Sequence, residues 1–338
     1  MEDSTEKLFT ISSSGLDVYL GCPRRYHLKY TAGISEPETK QKTSMEWLGA
    51  NERGTLIHRV MEVYVNRAIL PVSEKLGTEE IPHLSDLEKQ AVDKLNSLEP
   101  DDGQFLSAWE QAVREIEEEM QKYSYEATVV PLPAREMELE EIRERCWEAI
   151  VSLHERMKAD HQYPVMTEKK FGLQRDGSGE KMILTEDGKE EFGICGSIDR
   201  VDYDTESGTY VVIDYKTGNI EKKRQLRTGT RDDLLQDRMY ALALEKMEPG
   251  KQVTAGRYIF PSSGNEEIYG EMTDKGKEAF RKRLWDSVKE IRFHRDKVCR
   301  NDKVQYPDWE ETCKYCGYAE LCEACDSLGQ SDDSEVVE

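Results

Sequence analysis

The sequence lacks any run of eighteen apolar residues, so no segment is expected to cross a bilayer as a helix. Its opening MEDSTEKLFT is acidic and polar, without the apolar core of a secretory signal, and a cytoplasmic location is expected. No GxxxxGK followed by Ser or Thr occurs, so the chain has no P-loop of its own. No internal repeat is present. A basic excess is lacking too: 47 Lys and Arg stand against 69 Asp and Glu, a formal net charge of −22. That total runs against the basic footprint usual for a nucleic-acid binder.

Distribution matters more than the total. The acid concentrates in residues 78–160 and in the tail 326–338. Basic clusters remain at Arg24, Arg25, His27 and Lys29, at Lys222, Lys223, Arg224, Arg227 and Arg231, and at Lys277, Arg281, Lys282 and Arg283. Each alone reads as a solvated face. Together, flanking the motifs below, they offer a path for a polyanion. Eight cysteines in a chain read as intracellular argue for metal or cluster ligation rather than disulfides.

With 338 residues the chain can bury one large core or two modest ones. Ser12, Ser13 and Ser14 offer a helix cap, Leu16, Tyr19 and Leu20 follow at helical spacing, and Cys22-Pro23 ends or kinks the segment. Residues 47–70 read as a second helix, with Leu56, Val60, Val63 and Tyr64 on one stripe and His58 on another face. Residues 80–160 are helical and acidic, divided at Pro131 and Pro133. From 165 the pattern turns to strands: VMTEKKFGL, KMILTED, EFGICGSIDRVDYD, TYVVIDYKTG, VTAGRYIF and EEIYGEM. Helices are expected at 231–247 and 274–296, which makes the core α/β. The linear division is an N-terminal segment 1–65, a helical insertion 66–162, a core 163–300, a cysteine region 301–326 and an acidic tail 327–338, expected to be disordered.

The informative stretch is ICGSIDRVDYDTESGTYVVIDYKTG, residues 194–218. It sets Asp199, Asp214 and Lys216 on two neighbouring strands joined by a turn around Glu206–Gly208, with Asp202 and Asp204 trailing the first acid. Two carboxylates on adjacent strands can hold one hard divalent cation. A lysine two residues after the second acid projects from the same face, because strand side chains alternate. A cation beside an ammonium group suits phosphodiester hydrolysis. Asp-x-Lys alone is common, and its weight comes from its company. Gly54 and His58 stand four apart, as do Gln236 and Tyr240, one helical turn on one face. Cys22 lies near one end, and Cys313, Cys316, Cys322 and Cys325 lie near the other. The last four could form a zinc site by themselves.

In this order the motifs resemble the PD-(D/E)xK nuclease superfamily, and more closely its RecB-like and Cas4-like members that carry an iron–sulfur cluster. The resemblance covers residues 11–60 and 165–325. It implies a restriction-endonuclease-like core: a mixed central sheet flanked by helices, with the helical insertion and a C-terminal cysteine cluster added. It implies that His58, Asp199, Asp214 and the carbonyl of Tyr215 bind Mg²⁺ or Mn²⁺. Lys216 would act on the attacking water, and Gln236 and Tyr240 would position the lysine or the DNA backbone. It implies a 4Fe-4S cluster on Cys22, Cys313, Cys316 and Cys322, with Cys325 spare and Zn²⁺ as the alternative. Cys146, Cys195 and Cys299 read as ordinary buried or half-buried residues. Glu168 is a second-tier candidate for a second metal, and Arg257 an outside candidate for a phosphate contact. The implied substrate is DNA, single-stranded or with free ends, in repair, recombination or CRISPR adaptation. A helicase or a CRISPR integrase is the implied partner, and no membrane is involved. Two other readings stay open: a catalytically inactive nuclease-fold scaffold, and a small-molecule phosphohydrolase with a similar triad. The intact His58–Asp199–Asp214–Lys216 set argues against decay.

Overall fold

The computed structural model describes residues 8–36, 46–78, 84–123, 132–174, 176–186, 190–218, 220, 235–299, 313 and 316–322. In chain order the main elements are β1 (Thr10–Ser12), α1 (Ser13–Gly21), α2 (Ala50–Ala68), α3 (Asp86–Asn96), α4 (Asp102–Tyr123) and α5 (Leu132–Asp160). There follow β2 (Gln162–Phe171), β3 (Met182–Glu186), β4 (Glu190–Asp204), β5 (Thr209–Tyr215), α6 (Gln236–Met247), β6 (Val253–Phe260), β7 (Glu266–Glu271) and α7 (Asp274–Cys299). Among the described residues no helix is long and apolar enough to cross a membrane.

The contacts divide the chain into two compact units, a larger one of Lys42–Met182 with Gly196–Lys277, and a smaller one of Met1–Gln41, Ile183–Cys195 and Glu278–Glu338. In the larger unit the strand order is β2-β4-β5-β6-β7. β5 and β6 run parallel, and the other neighbours are antiparallel. This is the mixed sheet expected from the strand-rich half of the sequence. β5 is buried from Tyr210 to Tyr215, as a central strand must be. The β4–β5 connection turns at Gly208, whose φ of 70° lies in the left-handed region that glycine enters without a Cβ clash.

Helix α2 buries Leu56, Ile57, Val60, Met61, Val63, Tyr64 and Val65, and it packs against α4, α5 and β2. Each such aliphatic side chain contributes about 1.5–3 kcal/mol when fully buried. Glu138 of α5 secures the entry to α2. Its carboxylate accepts the amides of Trp47 and Leu48, at 2.8 and 3.3 Å, and Arg53 Nε at 2.8 Å. The acidic helices α4 and α5 thus brace α2.

In the smaller unit Thr10–Ser12 is a short strand, and it pairs in parallel with Gly193–Cys195. The pairing needs Gly193, because a Cβ there would lie 2.6 Å from Thr10 Oγ1. Helix α1 is capped by Ser12 Oγ, which accepts Gly15 N–H at 3.1 Å, and it ends at Cys22 before Pro23. A short helical turn, Pro23–Tyr26, and a π turn, His27–Thr31, follow. Phe192 packs edge-on against Trp285 of α7, and Tyr318 Oη donates to Ile34 O at 2.7 Å.

Candidate active site

The site lies at the end of β5 in the larger unit. The β4–β5 register pairs Arg200 with Ile213. One step further along the same register, Asp199 comes alongside Asp214. Asp199 Oδ2 accepts the Tyr215 amide at 2.8 Å. On α2, His58 Nε2 lies 2.8 Å from the Tyr215 carbonyl oxygen, and Nδ1 lies 3.4 Å from Asp199 Oδ2. One peptide backbone therefore engages both predicted residues. Gly54, one turn before His58, faces Thr217, whose Oγ1 lies 3.4 Å from where a Cβ would stand.

Electrostatics favour a cation here. Burial holds the His58 imidazole below its ordinary range, so the ring is neutral near pH 7. With Nε2 donating to Tyr215 O, the Nδ1 lone pair of that neutral ring faces the Asp199 carboxylate. Asp199 is pushed well above the usual carboxylate range by burial first, then by the charges of Asp214 and Glu168. Two lone-pair donors facing each other inside a surplus of negative charge can serve as cation ligands.

Glu168 completes that set. Its φ of 43° is left-handed, a strained setting for a non-glycine strand residue. The β2–β4 register places it across from Asp199, between the pairs Thr167–Arg200 and Lys169–Ile198. Burial raises its pKa, and Ser197 Oγ donates to its Oε2 at 2.8 Å. Donor atoms of His58, Glu168 and Asp199 all lie within 4.8 Å of one another.

Asp214, expected beside His58 and Asp199 as a ligand, is engaged differently. Its Oδ2 lies 2.6 Å from Lys216 Nζ, and Tyr240 Oη donates to its Oδ1 at 3.4 Å. Lys216 Nζ also donates to Gln236 Oε1 at 2.6 Å, and Gln236 Nε2 donates to Tyr240 Oη. Asp214, Lys216, Gln236 and Tyr240 thus close a ring of polar contacts, with Gln236 and Tyr240 presented by successive turns of α6. All the predicted catalytic residues meet in this unit, in two adjoining groups.

In the smaller unit Cys22 is buried, and Arg25 N–H donates to its Sγ at 3.4 Å. Burial raises the Cys22 thiol pKa, the amides of Arg25 and Arg24 oppose this, and Cys322 and Cys313 add to the rise. Cys22, near one end of the chain, therefore lies within electrostatic range of Cys322 and Cys313 near the other. Cys313 and Cys322 are buried, Cys316 is half-buried, and Cys316 N–H donates to Cys313 O at 3.0 Å. Cys146 is buried, with its pKa pushed up to about 12, and Cys195 is half-buried. Cys325, Arg231 and the rest of the 222–231 basic cluster lie outside the described residues, as does the tail.

Two basic expectations change. Arg257 is buried, bonded to Asp160, Glu267 and Gln162, and so it cannot meet a phosphate. Lys277 is paired with Glu245. Glu168, expected only in a second tier, stands among the foremost donors, and Arg200 joins the site's surroundings without having been a candidate. The alternation Asp199-Arg200-Val201-Asp202 was the available signal that Arg200 points away from Asp199, into the core.

Among known proteins, a family model described as the PD-(D/E)XK nuclease superfamily matches residues 10–323. No curated protein matches the chain. The match runs from β1 through the acids of β4 and β5 to the terminal cysteines, so it covers the chain rather than one motif. The protein belongs to the PD-(D/E)XK nuclease superfamily.

Proposed function

We propose that the protein is a Mg²⁺- or Mn²⁺-dependent deoxyribonuclease of the RecB-like or Cas4-like type, acting on single-stranded DNA or free ends. The observation that carries this reading is the convergence of His58, Glu168 and Asp199 donors within 4.8 Å. Beside them stands the Asp214–Lys216 pair. A divalent cation held there supplies Lewis-acid polarisation of a phosphoryl oxygen and lowers the pKa of a water ligand. His58, Asp199, Asp214 and the Tyr215 carbonyl are its proposed ligands, with Glu168 as a further carboxylate. Lys216 orients the attacking water and offsets charge developing on the phosphoryl group. Gln236 and Tyr240 hold Lys216 and Asp214 in place.

The cysteines support a second, structural role. A 4Fe-4S cluster needs four thiolates, and Cys22, Cys313, Cys316 and Cys322, all free cysteines, would be its ligands, drawn from both ends of the chain. Such a cluster would staple those ends and restrict the unfolded chain. Zinc on four thiolates is the competing occupant. The helices of 66–162 are proposed as a structural insertion, since they brace α2 and add no member to the site. A separate helicase or integrase that presents the DNA is the proposed partner, in repair, recombination or CRISPR adaptation, since the sequence carries no P-loop.

The test is cleavage of 5′- and 3′-labelled single strands by purified protein with Mn²⁺ or Mg²⁺. Asp214→Asn and Lys216→Ala should each lower the rate by at least ~10²-fold, the usual loss on removing a main electrostatic contributor. Near-normal cleavage by Asp214→Asn would overturn the assignment. Hydrolysis of nucleotides with no action on DNA would move the protein to the phosphohydrolase reading.

A further inference from the structure

We infer that Arg200 is a positioning residue, which pins the backbone of residue 215 so that its amide and carbonyl hold Asp199 and His58. The inference rests on the cation site proposed above and names a part of that site's support.

Arg200 is 2% exposed and Asp202 4% exposed. The guanidinium grips Asp202 with two parallel bonds, Nε to Oδ1 at 2.8 Å and Nη2 to Oδ2 at 2.9 Å. Its Nη1 donates to the Tyr215 hydroxyl, and its Cζ stands 5.4 Å from the centre of the Tyr215 ring. A buried ion pair is a costly way to fill a core, and apolar side chains of similar volume often do so with no loss of stability. Stability alone therefore does not account for Arg200 and Asp202. What the pair adds is a rigid donor at a fixed place. The planar fork locks onto Asp202, and the remaining N–H group fixes the tip of the Tyr215 ring.

Tyr215 is the last residue of β5. Strand ends open more readily than strand centres. Yet this residue carries the site: its N–H meets Asp199 at 2.8 Å, and its C=O lies 2.8 Å from His58 Nε2. The Lys216 amide follows at once, donating to Ile259 O at 2.8 Å. The ring of Tyr215, clamped by Arg200 on the core side, holds the peptide at which His58 and Asp199 converge. Lysine cannot replace Arg200, because it lacks the fork that serves Asp202 and Tyr215 together.

The experiment uses the full chain and compares Tyr215→Phe, which removes only the hydroxyl that Arg200 grips, with Tyr163→Phe. The control loses a part-buried hydroxyl bond of a buried tyrosine, Tyr163 Oη to Asn96 Oδ1, near the start of β2 and away from Tyr215. Mn²⁺ binding is measured by calorimetry, cleavage is titrated against Mn²⁺, and amide exchange is followed over residues 213–217. In Tyr215→Phe the Mn²⁺ midpoint should rise about tenfold, the scale of one hydrogen bond to a charged group. Exchange over 213–217 should quicken. Tyr163→Phe should lower melting alone. If Tyr215→Phe melts lower but keeps the wild-type Mn²⁺ midpoint and exchange, Arg200 is only a core residue and the inference falls. If Mn²⁺ binding weakens as expected while no form of the protein cleaves DNA, the nuclease reading fails and the inference stands. If no form binds Mn²⁺, exchange decides: faster only in Tyr215→Phe keeps the pin, and unchanged exchange removes it. Should Tyr215→Phe not fold, Arg200→Lys undergoes the same comparisons with the same expected outcomes.

Discussion

The Tyr215 amide and the Asp199 carboxylate are joined by a 2.8 Å hydrogen bond, which keeps a buried and repelled acid in place. Burial and the charges of Asp214 and Glu168 hold the Asp199 carboxyl well above the usual range. In the unfolded chain it titrates near ~3.9. The fold thus binds that proton more tightly than the unfolded chain does. Ionising Asp199 subtracts from stability at neutral pH; the loss shrinks as pH falls below the raised folded value and is gone below the unfolded one.

Asp199→Asn should therefore stabilise the metal-free protein. The amide oxygen still accepts from Tyr215 N–H, and the charge is gone. In EDTA at pH 7–8 the variant should unfold later than wild type. The gap should narrow on acidification. Added Mn²⁺ should raise the melting temperature of wild type and leave that of Asp199→Asn unchanged. Thermal melts across pH, with and without Mn²⁺, check both. A variant that melts lower and still responds to Mn²⁺ sinks the idea.

The ring of contacts through Lys216 ranks its members. Gln236 is bonded to both Lys216 and Tyr240, whereas Tyr240 reaches Asp214 only at 3.4 Å. Gln236→Leu should therefore lower cleavage more than Tyr240→Phe, by about tenfold, the worth of one charge-assisted hydrogen bond. Single-turnover rates at saturating Mn²⁺ make the comparison. Equal losses, or a larger loss in Tyr240→Phe, would count against the ring.

Much of this was legible in the sequence, for physical reasons that differ by residue. The strands bearing Asp199 and Asp214 declare themselves through β-branched residues around a glycine turn. Gln236 and Tyr240 are readable because four residues make one helical turn. β1 was not readable, since three residues carry no periodicity, and its pairing depends on Gly193 far along the chain. The role of Glu168 depends on a positive φ that no local pattern announces. Arg257 misleads because Gly256-Arg257-Tyr258 reads like a phosphate contact, while Asp160 and Glu267, which claim it, come from elsewhere in the chain.

Glu168 offers its own test. Glu168→Gln keeps the size and the Ser197 bond but removes a charge facing Asp199. Mn²⁺ affinity should fall by about tenfold when one carboxylate ligand is removed. Calorimetric titration reads this directly. Unchanged affinity would leave His58, Asp199 and Asp214 as the sufficient set.

DNA binding should depend on Arg24 more than on Arg25. Arg25 is already paired with Glu36 at 2.7 Å, and Lys29 lies 3.2 Å from the same carboxylate. Arg24→Glu should weaken binding to all sequences alike. The log–log salt slope should fall by ~0.7 for each single-strand phosphate that is no longer neutralised. Fluorescence anisotropy at several salt concentrations checks this, and a sequence-selective weakening would point away from the phosphate backbone.

The cysteines make the last prediction, and colour is its readout. Burial raises the Cys22 thiol pKa and Cys322 and Cys313 add to the rise, so cysteines from the two ends lie within electrostatic range of Cys22. Iron in a 4Fe-4S cluster should make anaerobically purified protein brown, with broad absorbance near ~400 nm from sulfur-to-iron charge transfer. Cys22→Ala should bleach it and lower the melting temperature, because the chain ends are then no longer linked. Cys146→Ala should leave the colour intact, since that thiol sits in α5 within the larger unit. Cys325→Ala should also leave it. Metal analysis separates the occupants: four irons with Cys22 required supports the cluster. One zinc, no iron and a dispensable Cys22 would instead assign the site to the C-terminal cysteines alone, with Cys325 as the fourth ligand.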